Sequence, residues 1–179
     1  MKEFRNLIIL APLIFALHHF EEHIIFNFRE WRLKYFLDNN TLSTEEVLIR
    51  LIALLLIIVI VHIIKKNRGS AHVVMFFLMT TQVVNAFFHI FFSFYFLDFS
   101  PGAITATLLY LPVNYLIFRA AFLEGYLTNS SELLLIFFAA ILTFSLFELI
   151  GPIVIGYSVL LMPFYYFVIN RIKVEAIEK

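Results

Sequence analysis

Between residues 6 and 170 six long apolar runs alternate with short polar breaks. Each is near the ~20 residues that a helix needs to cross a hydrocarbon core of ~30 Å. They fall at about 6–28, 46–64, 71–96, 103–125, 131–150 and 153–170. The second is bounded by Ser43 with Glu46 three residues on, a capping box, and by Lys65-Lys66-Asn67-Arg68. Residues 131 to 170 are almost continuously apolar, and one helix of that length would be ~60 Å long, about twice the bilayer core. Gly151-Pro152 is where this stretch has to turn, either as a hairpin between two spans or as a break within a helix, since Pro removes a donor and Gly permits the turn. The pattern predicts an all-α, polytopic membrane bundle of six helices, one domain over residues 1–179.

Composition strengthens that expectation. The chain is 62% hydrophobic and 15% charged, with 23 phenylalanines, against about 45–50% apolar and 25% charged in soluble domains. Formal net charge is zero, so no basic face for nucleic acid is expected. Cysteine is absent, which excludes disulfides and thiolate ligands and leaves His, Asp, Glu or Asn for any metal. The start, MKEFR followed by LIILAPLIFAL, imitates a signal peptide, but ALHHFEE offers no small-x-small cleavage site, so a retained first helix is expected. With both termini cytoplasmic, the inner side holds Lys2, Arg5, Lys65, Lys66, Arg68, Arg171, Lys173 and Lys179, against Arg29, Arg32, Lys34 and Arg50 outside. That is the sense of the positive-inside rule. The segment from Arg29 to Leu42 becomes an outer loop with an interfacial helix anchored by Trp31 and Tyr35.

The exception to the apolar pattern is HHFEEH, residues 18–23, inside the first run. Ionisable groups within spans are expensive and are functional candidates by default. Counted at 1.5 Å per residue from the inner ends, His18 to Glu22 lie ~18–24 Å up helix one, Asn85 and His89 ~21–27 Å up helix three, and Glu148 ~26 Å up helix five. Three helices thus bring polar groups to one layer in the outer half of the bundle. His62, His72 and Arg119 fall on the cytoplasmic side, while Arg50 and Asn114 come closer to the outer layer.

His18 is i,i+3 to Glu21 and i,i+4 to Glu22, and Asn85 is i,i+4 to His89, so each pair shares a helix face. Imidazole and carboxylate groups converging inside a bundle suit a divalent ion, Zn, Fe or Mn, with a position open for water or substrate. His18, Glu22 and His89 are the expected metal ligands, Glu21, His18 and Asn85 the catalytic groups, and Glu148 an additional member. His19 and His23, rotated ~100° from His18, are expected at the interface or in support. The bland alternative is a satisfied polar network that glues helices, or charge at the mouth of helix one.

These residues resemble a known family. His18-His19-Phe20-Glu21-Glu22 fits His-x-x-Glu-Glu, followed by Trp31, by Asn85-x-x-x-His89 and by Ser100-Pro101-Gly102 with Thr105. The pattern, over about residues 10 to 125, is similar to the HXXEE-motif family of small, mostly prokaryotic membrane proteins. The resemblance implies a multi-pass protein of a prokaryotic cytoplasmic membrane and no particular activity, since the motif and not a reaction defines the family.

Two functions of different class fit. The first is an intramembrane enzyme acting on a lipid or amphipathic substrate. In it, a metal-bound water is deprotonated by Glu21 for hydrolysis, or His18 and a buried glutamate shuttle protons as an isomerase needs, with Asn85 orienting the substrate. The second is a transporter or carrier of a proton, metal ion or small cation at the same cluster. A regulatory or assembly protein with a purely structural cluster is the third.

Overall fold

The computed structural model describes residues 3–38 and 41–172, and among these no strand occurs. Seven helices follow in order: α1 (Glu3–Ile25), α2 (Phe28–Tyr35), α3 (Thr44–Lys65), α4 (Arg68–Tyr95), α5 (Ala103–Leu123), α6 (Ser130–Ile150) and α7 (Ile153–Arg171). All except α2 are long and apolar enough to span a membrane, and they coincide with the six expected runs to within about three residues at each end. Lys2, Lys173 and Lys179, counted in the charge asymmetry, lie outside the described residues.

Local chemistry sets the ends. Ser43 Oγ accepts the Glu46 N–H at 3.2 Å while Glu46 Oε2 accepts the Ser43 N–H at 2.9 Å, completing the capping box of α3. Asn67 and Ser70 make the equivalent box for α4. At Gly151 the backbone turns with φ +80° and Pro152 opens α7. Because α6 and α7 pack against each other, Gly151-Pro152 is a hairpin between two helices. The segment between α1 and α3 contains the expected short helix, α2, but Trp31 is buried among Phe28, Tyr35, Phe88 and Phe96.

Helix α4 is the axis of the bundle: 61% of its apolar window is buried, against 6% for α7. It packs on α3, α5, α6 and α7, while α1 lies against α3 and α5. Three helices contain a π-helical turn, at Glu21–Ile25 in α1, Met79–Val84 in α4 and Ala106–Tyr110 in α5. A π-turn adds one residue to a turn and re-aims the side chains beyond it, which is why such turns recur at functional sites. In α1 it is marked by the Phe26 N–H reaching back five residues to the Glu21 carbonyl at 3.0 Å.

Candidate metal centre and adjoining cavity

His18 on α1 and His89 on α4 meet with ring centroids 5.1 Å apart. Both are fully buried, and Glu22 is buried beside them. His18 Nε2 is 3.4 Å and His89 Nε2 3.0 Å from the same oxygen, Glu22 Oε1. The opposite ring nitrogens are anchored: His18 Nδ1 lies 2.9 Å from Thr105 Oγ1 and His89 Nδ1 2.9 Å from Ser100 Oγ. Thr105 gives its own hydroxyl proton to the Gly102 carbonyl, so it accepts from His18, which puts the hydrogen on Nδ1 and a lone pair on Nε2. Among the described residues neither Nε2 has a hydrogen-bond partner; the distances to Glu22 suffice but the directions do not. Imidazoles fixed through one nitrogen by a hydroxyl, with the other turned toward a carboxylate, are the arrangement that metal-binding histidines use.

The loop between α4 and α5 supplies the Ser100 hydroxyl and the first turn of α5 that of Thr105. Glu21 holds that loop: its Oε1 accepts the N–H groups of Gly102 at 3.1 Å and Ile104 at 3.2 Å, and its Oε2 that of Thr105 at 2.7 Å. The carboxylate thereby satisfies donors at the start of α5 that no helical carbonyl can reach. Glu21, expected as the general base, has its lone pairs committed to backbone. Gly102, at φ +96°, brings the loop directly against the centre: a Cβ there would lie 2.8 Å from His18 Cε1, 2.9 Å from Glu22 Cγ and 3.1 Å from His89 Cε1.

His19, expected in a supporting position, is part of the centre. Its Nδ1 makes a very short contact with Glu22 Oε2, and His23 Nε2 stands 3.6 Å from the same oxygen. Read backward from Glu22, positions 19 and 18 are i−3 and i−4 and flank one surface strip; angles measured from His18 alone hide this. Sequence reasoning also passed over Tyr110, whose ring lies 4.4 Å from that of His18 and whose buried hydroxyl has no partner. Asn114 is buried one turn further along α5, donating to Gln82 and to the Tyr110 carbonyl. Arg50 and Arg119 are exposed. His62, bound to Ser70 at 2.9 Å, and His72, bound to the Tyr126 carbonyl at 2.9 Å, belong to a network at the other end of the bundle.

A cavity of about 170 Å³ adjoins the centre, bordered at its polar end by His19, Glu22, His23, Asn85 and Glu148 together with Arg29, Arg32 and Asp38, and elsewhere mainly by apolar side chains. Asn85 faces this cavity with its Oδ1 buried and unpartnered. Glu148 is drawn off by Arg32, 3.0 Å away across the cavity wall, so it borders the site without joining the histidines. Helix α2 closes over the end nearest the histidines. Phe28 packs 5.2 Å from the His89 ring, and Asp98 receives Tyr35 Oη at 2.7 Å and Lys34 Nζ at 2.9 Å. Tyr35 first and then Lys34 hold the Asp98 carboxyl below its ordinary range, while Tyr35 first and then Asp98 raise the Lys34 ammonium above its own.

His18, His19 and Glu22 each offer a ligand atom, all within 4.8 Å of one another, and could hold a metal ion. The two unpartnered Nε2 atoms on His18 and His89 fit the same use, because neutral imidazole lone pairs and a carboxylate suit Zn, Fe or Mn. Comparison with known families gives one match: the model described as "Protein of unknown function with HXXEE motif" covers residues 9–117. That interval includes every residue of the centre and the Gly102 loop, and excludes Glu148. No curated protein and no solved structure matches the chain.

Proposed function

The chain belongs to the HXXEE-motif family, and we propose that it is a membrane-embedded, metal-dependent enzyme that hydrolyses a lipid or other amphipathic substrate. The observation that carries this reading is the convergence of His18 Nε2 and His89 Nε2 on Glu22 Oε1 beside a largely apolar cavity. His18, His89 and Glu22 would hold the cation, which would supply Lewis acidity and make water more acidic. His19 takes the part first assigned to Glu21. Its Nδ1 is engaged by Glu22 Oε2 and its Nε2 has no partner, so the carboxylate orients a neutral imidazole that can accept the proton of water. Asn85 orients the substrate's polar group, Glu21 fixes the loop, and Glu148 with Arg32 shapes the cavity mouth.

Six apolar spans support insertion in a membrane. Arg29, Arg32 and Lys34 lie at the end of the bundle that holds the centre, while Lys65, Lys66 and Arg68 lie at the other. This supports a site in the outer half with cytoplasmic termini.

The test is element-specific metal analysis of the protein purified without added metal, alongside His18→Ala, His89→Ala and Glu22→Gln. About one equivalent of a divalent transition metal in the native chain, lost in all three variants with helicity retained, is the expected result. A metal-free native protein that still turns over substrate would transfer the reading to proton shuttling by His19 and Glu22. Metal uptake into proteoliposomes without turnover would favour a carrier.

A further inference from the structure

The cavity has chemistry of its own. Along α4 its lining runs from Phe76 to Phe88, about 18 Å at 1.5 Å per residue, yet its volume is only about 170 Å³. It is long and narrow, with room for one extended chain and not for two side by side. The end remote from the histidines is bounded by Leu54, Phe76, Ser158 and Met162, which offer an apolar tail no charge to desolvate.

The polar end is defined by acceptors without donors. Asn85 Oδ1 and His19 Nε2 are both buried and unpartnered. With the His19 hydrogen on Nδ1, toward the Glu22 carboxylate that can only accept, His19 Nε2 is an acceptor as well. Two cations line this end. Arg32 already gives Nε and Nη2 to Glu148 at 3.3 and 3.0 Å and Nη1 to the Leu37 carbonyl at 3.4 Å, and Arg29 Nη2 lies 3.4 Å from Asp38 Oδ2. An anionic head would have to compete with Glu148 for the one guanidinium and with Asp38 for the other. A neutral donating head satisfies orphaned acceptors, one for a hydroxyl and both for a primary amide, and displaces no ion pair.

We propose that the cavity binds a single-chain amphiphile with an uncharged, hydrogen-bond-donating head, a long-chain alcohol or amide. Its head rests on Asn85 Oδ1 beside His19 and its tail runs between α3, α4, α6 and α7 toward Ser158 and Met162. This rests on the proposed enzymatic reading for the identity of the ligand as substrate, and on the cavity alone for its binding.

The probe is tritiated 1-dodecanol, measured by equilibrium binding to the full-length protein in detergent, with 1-octanol and dodecyl methyl ether as competitors. One saturable site is expected, with the ether, which lacks the donor, binding about fivefold more weakly, the factor of one hydrogen bond. Asn85→Leu is expected to abolish that difference. Ser158→Phe and, independently, Met162→Trp fill the tail end, and each is expected to weaken dodecanol about tenfold relative to octanol with metal content unchanged. Equal binding of alcohol and ether by the native protein overturns the assignment of the head. An unaltered chain-length preference in whichever filled variants fold overturns the assignment of the tail. Loss of the metal reading with alcohol binding intact counts against the proposed enzyme alone, and metal retained without selective alcohol binding counts against this inference alone.

Discussion

Replacing Gly102 by alanine tests whether backbone contact with the histidines is what shapes the centre. The added Cβ would sit 2.8 Å from His18 Cε1, 2.9 Å from Glu22 Cγ and 3.1 Å from His89 Cε1, all closer than carbon atoms normally approach. None of the three can retreat easily, since both rings are fully buried and tied through Nδ1 to Thr105 and Ser100. Crowding of this kind costs about 1–3 kcal/mol, and the φ of +96° adds about 1–2 kcal/mol for any residue with a side chain. A total near 3 kcal/mol corresponds to a fall in Tm of about 6–12 °C for a chain of this size. Two other glycines separate the contributions. Gly125, at φ +73°, has nothing within 4 Å of its would-be Cβ and reports backbone strain alone; Gly156 has neither strain nor a neighbour. Thermal unfolding in detergent, with metal analysis of each variant, should rank Gly102→Ala well below Gly125→Ala and Gly156→Ala at or above the native protein. Only Gly102→Ala should lose metal. If Gly102→Ala is no more disruptive than Gly125→Ala and keeps its metal, the loop does not shape the centre and the reasoning fails.

Glu21→Gln keeps the side-chain shape but sets an amide N–H against one of the backbone donors at Gly102, Ile104 or Thr105, and removes the charge from the others. A loss of about 1.5–3 kcal/mol is expected, read by urea or thermal unfolding, with weakened metal retention because the loop and the first turn of α5 carry the two histidine anchors; unchanged stability with activity alone abolished would return Glu21 to the role of base. Acid should release α2 from the turn at Asp98. The Tyr35 hydroxyl first, then Lys34, lower the Asp98 pKa below its usual 3.8, so this stabilisation is complete above that value and is lost as pH falls through the depressed pKa. The only tryptophan, Trp31, lies 5.4 Å from the Tyr35 ring and 6.2 Å from that of Phe96, so its emission should change in that acid range and in Asp98→Asn should already be shifted at neutral pH. An acid transition of Trp31 that persists unaltered in Asp98→Asn would refute the assignment.

The six long apolar helices, the capping box at Ser43, the turn at Gly151-Pro152 and the common level of His18, Glu22 and His89 were legible in the chain itself. Length, apolar periodicity and rise per residue are local, additive quantities, and depth along parallel helices follows from them by counting. Direction around a helix is not additive in that way once a π-turn intervenes, and α1, α4 and α5 each carry one beside the site. That is why the division of labour between adjacent residues lay beyond the sequence: Glu21 turned to the backbone of α5, Glu22 to four histidines, His19 inside the centre, and Glu148 drawn to Arg32. The sequence determined which polar groups share a layer, because each must be held at one depth within an apolar run. Tertiary packing decided which of them touch, because a carboxylate goes to whichever unsatisfied donors the neighbouring helix ends and loops present.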